Sequence, residues 1–492
     1  MRLNIKNIVA KNKLVVAVFI VAAFLRLYNL YDFTTFLSDQ GRDAIIVRQI
    51  ATLTHLTAIG PTSSLGGVFL GPFFYYLMAP FLLLANFNPI GMTLATSLFS
   101  ILGIGLAYIM VRKETNPKIA LIYLVLATFS YVNIDLSRFA WNPNLLPIFA
   151  FVTLYFFYKF IQTNKNVYSF LFGILFGLSI QLHYLAIFLV FPMFIVFIQK
   201  LITQQKIREK INTVKTSLFS LIGFFFVSWP LIYFDIKHQF VNTQSFLRLF
   251  GQDKLVSGNS SFLSKFIDTN QSFFVPVFNS NINGNLAFIL LLFMVIATIF
   301  LWRSKKINIF SEIHLLNLFS FIFAFSFLFL FRHPHYYGPI YYSFFFLLAY
   351  LAFYIIPKNI IGNGFLTLLL LLYIVVNAKS INFLSGPGNK QIQHSQNVAN
   401  FLSDKIGNKP FNIATWPIEF GEDNFVYFLE VKGLIPADRT KLEITKQLFV
   451  LCNQEPCLVL NSPSWNISMF GKAKIAEKWE IEGVKIYKLV HQ

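Results

Sequence analysis

FLSDQGRDAIIVR, residues 36–48, follows directly on the first apolar segment of the chain and so emerges at a membrane surface. It gathers Asp39, Arg42, Asp43 and Arg48 within ten residues of a protein that uses few charges elsewhere. A carboxylate at the end of a transmembrane helix, one helical turn from an arginine, is costly unless something uses it. One use is chemical: Asp39 takes a proton from an attacking hydroxyl while Arg42 holds a phosphate. The plainer alternative is a cap, with Ser38 or Asp39 closing a helix that begins near Gln40 and the arginines lying along lipid headgroups. The rest of the chain bears on that choice.

The 492 residues are 56% hydrophobic and only 12% charged, and the mean hydropathy is +0.62. Apolar runs long enough to cross ~30 Å of hydrocarbon recur from Leu14 to Val376. The expected fold class is an all-α polytopic membrane protein. The formal charge of +19 falls largely in short loops between apolar runs, where it reads as a positive-inside signal and as contact with anionic membrane lipids; nucleic acid is not implied. The first apolar run lacks a small-residue cleavage site and is read as a retained helix. Cys452 and Cys457 form a C-x4-C pair in the tail, a possible disulfide on the outer side but no metal site by themselves.

Arg2, Lys6, Lys11 and Lys13 place the N-terminus in the cytoplasm, so the first helix, about 14–30, delivers Asp39 to the outer face. Further spans are expected at about 89–111, 118–134, 145–162, 167–183, 185–200, 215–233, 286–302, 313–331, 336–356 and 361–378. The basic loops Arg112–Lys118, Lys159–Lys165, Lys200–Lys215, Arg303–Lys306 and Lys358 all fall inside if residues 71–87, broken by Pro72 and Pro80, form a re-entrant or surface-lying helix. That makes about eleven crossings. The membrane domain is 1–380, with a first outer loop at 31–88, which carries the GPTSSLGG cluster at 60–67 ahead of that helix, and a second at 235–284. Residues 385–492 read as a small extracytoplasmic α/β domain, with strands at FNIAT, QLFVLC, PCLVLN and VKIYKLV and an amphipathic helix at QIQHSQNVANFLSDKIG. Sequons stand at Asn259, Asn270 and Asn466.

Polar side chains collect on the outer side of this scheme. Asp135, Ser137, Arg138, Asn142 and Asn144 follow one span; Gln181, His183 and Tyr184 occupy a tight turn; Arg332, His333, His335, Tyr336 and Tyr337 occupy another. Arginines suit phosphate, amides and tyrosines suit hydroxyls, and one carboxylate suits a base, so the set fits a phosphorylated, hydroxyl-rich ligand. Each group also has a plain structural use. Arginines snorkel, tyrosines form an interfacial belt, and Asn142-Pro143-Asn144 caps the helix that follows. No Walker A loop, HExxH or G-x-S-x-G motif occurs, which removes support for an ATP-driven pump, a zinc protease and a serine hydrolase.

The ordered set resembles the bacterial membrane glycosyltransferases of the GT-C fold: protein O-mannosyltransferases, the lipid A aminoarabinose transferase and rhizobial lipopolysaccharide sugar transferases. The residues that carry the likeness are SDQGRDA at 38–44, the GP-hydrophobic-YYLxAP segment at 71–80, SRFxxNPN at 137–144, QLHY at 181–184 and HYYGPIYY at 335–342. The resemblance implies a polyprenyl-phosphate-linked sugar donor at the outer face of the cytoplasmic membrane, and inverting transfer to an acceptor hydroxyl with Asp39 as catalytic base. The sugar is a hexose or a pentose; the acceptor is a glycan, a lipid or a protein. Arg42, Asp43, Arg138, Asn142, Asn144, His183, Tyr184, Arg332, His335 and Tyr336 are the candidates for binding donor phosphate or sugar. Two departures stand out. Gln40 replaces the family's glutamate beside the first aspartate, and Asn142 and Asn144 stand where relatives place an acid. A second carboxylate is then missing, no metal site and no cofactor are expected, and a divalent ion is allowed but unsupported. The competing class is a transporter or flippase for lipid-linked sugars, against which the chain shows no internal repeat and no mid-span polar cluster. A ligase or polymerase of preassembled glycans would differ only in the size of its donor.

Overall fold

The computed structural model describes residues 12–63, 67–251, 261–328, 331–438 and 441–492. Expectations resting on Arg2, Lys6 and Lys11, on positions 64–66 of the GPTSSLGG cluster and on the Asn259 sequon lie outside the described residues.

Among the described residues six helices are long and apolar enough to cross a membrane: Ile90–Glu114, Asn142–Thr163, Tyr184–Thr203, Ile207–Lys237, Gly284–Arg303 and Ile360–Ala378. The remaining expected spans fall on the shorter apolar helices Lys13–Leu27, Pro117–Phe129, Asn166–Leu182, Ile309–Phe325 and Tyr341–Ile355. The protein is a multi-pass, mostly helical membrane protein. Asparagines start several of its helices. Asn116 Oδ1 accepts from Lys118 N and Ile119 N at 3.0 and 3.1 Å, ahead of Pro117 in the first turn, and Asn283, Asn308 and Asn359 cap in the same way. The span expected at 118–134 breaks at Ser130, where Asn377 Oδ1 accepts from Tyr131 N at 2.8 Å and a short second helix, Tyr131–Leu136, follows.

Residue contacts divide the chain into two compact units. The first contains Met1–Tyr28, Thr57–Phe74 and Thr96–Leu384; the second contains Asn29–Leu56, Tyr75–Ala95 and Ser385–Gln492. The second unit joins residues 29–56 to 385–492, which the expected division places in different domains. The physical reason is close packing: the Ser38–Ala51 helix lies against the Asp423–Val431 helix so tightly that a Cβ on Gly41 would stand 2.2 Å from Asn424 N.

In the first unit, Asn166–Leu182 and Ile207–Lys237 pack backbone to backbone. A Cβ on Gly173 would lie 1.9 Å from the Ser220 carbonyl oxygen, and one on Gly223 would lie 2.3 Å from that of Phe170. Thr62 and Phe69 form an antiparallel bridge, and Asn242 grips Phe69 by accepting from its N at 2.7 Å and donating to its O at 3.2 Å. The expected loop at 235–284 holds two helices, Val241–Gly251 and Phe262–Phe278, the second burying Phe273 and Phe274.

In the second unit, strands β1 (Asn412–Trp416), β2 (Gln447–Cys452), β3 (Ala473–Ile481) and β4 (Val484–His491) form one sheet in the order β1-β2-β4-β3, parallel only between β1 and β2. The amphipathic helix is Gln391–Ile406. PCLVLN is not a strand. Cys457 is bonded to Cys452 at the end of β2, and Val459 turns into the apolar cluster with Leu448, Val450 and Phe470. The edge position is taken by β3, whose residues are mostly exposed and so lack the apolar alternation that marks a strand in sequence.

Candidate functional site

The second unit holds the acidic cluster. Leu37 is extended and the helix begins at Ser38, two residues before the expected start. Neither Ser38 nor Asp39 caps it; the Gln40 side chain reaches back to accept from Leu37 N at 3.1 Å, which closes the first turn and leaves Asp39 unused as a cap. The Asp39 carboxylate faces outward, with 59% of its side chain exposed, and accepts from Arg42 Nη1 at 2.9 Å. Arg42 turns its other edge inward, where Nε and Nη2 donate to Asp43 Oδ1 at 3.1 and 2.8 Å. Tyr75 OH donates to the same oxygen at 2.9 Å. Asp43 is fully buried, and its second oxygen, Oδ2, has no partner among the described residues. Burial pushes the Asp43 carboxyl above the ordinary aspartate value, while the Arg42 charge and its hydrogen bonds pull it back. The arrangement is an outward carboxylate and a cation anchored from behind by a buried one.

The first unit holds a cluster of rings. Three separate turns contribute: Trp141, His183 with Tyr184, and His333 with His335 and Tyr336. His335 packs edge-on to Trp141 with centroids 4.5 Å apart and lies 4.4 Å from the Tyr336 ring. His183 stacks on Tyr184 at 4.5 Å and stands 5.3 Å from Tyr336 and 6.0 Å from His335. His183 Nδ1 accepts from Leu185 N at 3.2 Å, so this nitrogen carries no proton. Burial lowers both His183 and His335 to about 3, with a small push from the neighbouring imidazole in each case. His183 and His335 are therefore neutral at ordinary pH and offer a surface for stacking and hydrogen bonding.

The other expected ligands of this unit are occupied. Arg138 donates through Nη1 to Leu25 O at 3.1 Å and through Nη2 to Tyr28 O at 2.9 Å, closing the C-terminus of Lys13–Leu27, and its guanidinium lies 3.7 Å from the Phe383 ring. Arg332 donates to Thr269 Oγ1 at 3.1 Å and to Leu328 O at 3.0 Å, with Asp268 3.6 Å away. Asn142 donates to Leu182 O at 2.6 Å and Asn144 to Phe139 O at 3.1 Å, pinning the turns that carry His183 and Trp141. Among the described residues no three His, Cys, Asp or Glu side chains are placed to share a metal ion.

Residues 70–233 match the family described as dolichyl-phosphate-mannose-protein mannosyltransferase. Among solved structures, ArnT from Cupriavidus metallidurans bound to undecaprenyl phosphate is similar over 98% of both chains at 12% identity, with a TM-score of 0.61. The same protein in the apo state gives 12% identity, 98% coverage of both chains and a TM-score of 0.59. The Archaeoglobus fulgidus oligosaccharyltransferase, solved with Zn and sulfate, is 11% identical, with a TM-score of 0.52 over 89% of this chain and 67% of that one. No curated protein matches the chain in sequence. The chain has the GT-C glycosyltransferase fold.

Within this GT-C chain, three residues in or beside the two clusters were not among the sequence candidates. Tyr75 passes for a member of an interfacial aromatic belt, Trp141 directly precedes the Asn142-Pro143-Asn144 run that draws more notice, and Gly41 is silent in a sequence. Tyr75 and Trp141 do stand inside the YYLxAP and SRFxxNPN segments, and that position was the available signal.

Proposed function

We propose that the protein transfers a sugar from a polyprenyl-phosphate carrier to an acceptor hydroxyl at the outer face of the cytoplasmic membrane, with inversion. The observation that carries this reading is the Asp39–Arg42 pair: an exposed carboxylate 2.9 Å from a guanidinium that a buried aspartate holds in place. Asp39 takes the acceptor hydroxyl proton as the acceptor oxygen bonds to the anomeric carbon. The bond from that carbon to the phosphate oxygen breaks on the opposite face, and its electron pair leaves with the polyprenyl phosphate. Arg42 offsets the charge of the departing phosphate through the edge that now meets Asp39. Phosphate contact is assigned to Arg42 alone, because Arg138 and Arg332 are spent on helix ends and on Thr269. The neutral rings of Trp141, His183, Tyr184, His335 and Tyr336 suit a sugar face and its hydroxyls. The bound undecaprenyl phosphate of the similar ArnT supports a polyprenyl carrier for this chain as well.

The test uses membranes containing the protein and a panel of radiolabelled polyprenyl-phosphate hexoses and pentoses, following label transfer and release of free polyprenyl phosphate. Asp39→Asn is expected to lower turnover by about 10²–10⁴-fold at unchanged donor binding, the usual range for a lost general base. Full turnover in Asp39→Asn defeats the base assignment. Labelled lipid that changes leaflet with no donor consumed would replace the enzyme with a transporter.

A further inference from the structure

Gly41, inside SDQGRDA, has no part in the chemistry above. It lies on the buried face of the Ser38–Ala51 helix, where a Cβ would meet Asn424 N at 2.2 Å and Asn424 Cα at 2.5 Å. Ordinary contact begins near 3.4 Å, so no side chain fits and the two backbones touch directly. Other contacts hold the same end of the helix. Phe36 N donates to Gln391 Oε1 at 2.8 Å, and Ser38 Oγ donates to Asp423 Oδ2 at 2.8 Å. The Phe36 ring packs edge-on to Tyr427 and Phe428, with centroids 5.9 and 5.8 Å apart. Gly421 is left-handed at φ +65°, and a Cβ there would strike Ser38 Oγ at 2.3 Å. At the far end Arg48 stands 3.7 Å from Glu430. Asp39 follows Ser38 directly and precedes Gly41 by two positions. Residues on both sides of it are held by the 385–492 segment, while its own carboxylate stays exposed.

We infer that Gly41 and Asp423 are positioning residues and that the 385–492 segment is part of the catalytic apparatus without touching substrate. It sets the angle and depth of the helix that presents Asp39 and Arg42. The inference rests on the reading of Asp39 as base. Proton transfer tolerates little displacement, and a misplacement of about 1 Å can cost about 10²-fold in rate. The Ser38–Asp423 hydrogen bond and the Gly41–Asn424 contact are the two features that resist such a shift.

The experiment uses the full chain in membranes and in detergent, with the same panel of undecaprenyl-phosphoryl hexoses and pentoses as donors. It compares Ser38→Ala, Asp423→Ala, the double variant, Asp423→Asn and Gly41→Ala. Ser38→Ala and Asp423→Ala should each lower kcat by about tenfold with donor KM within about twofold, and the double variant should fall no further than either. Asp423→Asn keeps an oxygen that accepts from Ser38 and should stay close to wild type. Gly41→Ala should lose most, about 10²-fold, because two backbones must separate. Hydrogen exchange of the amides in 38–44 is read on the same proteins and should speed up in the variants that lose turnover and not in Asp423→Asn. Losses that multiply in the double variant, unchanged kcat in Gly41→Ala, or unchanged exchange would each overturn the inference. If no wild-type donor turns over, or Asp39→Asn stays fully active, the base reading itself has failed. The exchange result then decides whether the segment holds the helix: faster exchange supports the positioning, unchanged exchange ends it.

Discussion

At the scale of single residues, the arginines separate by what their guanidinium groups already hold. Arg26 is fully buried and donates to Ser100 Oγ at 3.0 Å and to the Ala127 and Thr128 carbonyls at 3.4 Å, closing the end of Pro117–Phe129 as Arg138 closes Lys13–Leu27. A cation at a helix C-terminus meets carbonyl oxygens that have no partner within the helix. Arg138→Gln should therefore cost about 2–3 kcal/mol of stability, as lost charge-assisted hydrogen bonds do, and lower the melting temperature of the detergent-solubilised protein. Undecaprenyl phosphate binding by the folded fraction should not change. Arg42→Gln should weaken that binding, and it should also lower melting because it leaves the buried Asp43 carboxylate without its cation. A titration of both variants with undecaprenyl phosphate checks the pair. From sequence, Arg42, Arg138 and Arg332 were equivalent candidates, since a guanidinium near an outer turn reads the same whether it meets a phosphate or a carbonyl. Their partners come from elsewhere in the chain: Leu25 and Tyr28 for Arg138, and Thr269 for Arg332.

At the scale of elements, apolar length was legible and fine boundaries were not. Each expected span overlaps an apolar helix because a run of apolar residues has one stable backbone state in hydrocarbon. The break at Ser130 and the helices inside 235–284 escaped because neither interrupts hydropathy in a way composition records. Helix contact is a further matter of small residues. The Gly173–Ser220 and Gly223–Phe170 approaches leave no room for a side chain. Gly173→Leu should force Asn166–Leu182 and Ile207–Lys237 apart, costing about 1–3 kcal/mol as overpacking does. Gly364, around which a Cβ would meet nothing within 4 Å, should accept alanine at little cost. Thermal unfolding of the two variants side by side checks the contrast.

At the scale of the whole molecule, the neutral imidazoles set a pH dependence. His183 and His335 sit near 3 in the folded protein, against 6.5 for an ordinary histidine, chiefly through burial. The unfolded chain thus takes up protons between pH 6.5 and 3 that the folded one refuses. Stability is complete above about 6.5 and falls as the pH drops through that window. The loss should be on the order of 1–2 kcal/mol per histidine at pH 5, and His335→Gln should flatten the fall in melting temperature between pH 7 and 5. The rate should show no titration of His183 or His335 between pH 6 and 7. What the sequence determined by itself was the solvent: hydropathy made this a multi-pass helical protein, and local order of motifs pointed to its fold. Tertiary structure alone decided which polar groups stand together. Asp43 and Tyr75 meet across 32 positions, and Ser38 and Asp423 across 385. Partition into hydrocarbon is a sum over neighbours in the chain, whereas a hydrogen bond between distant segments depends on packing that no local pattern encodes.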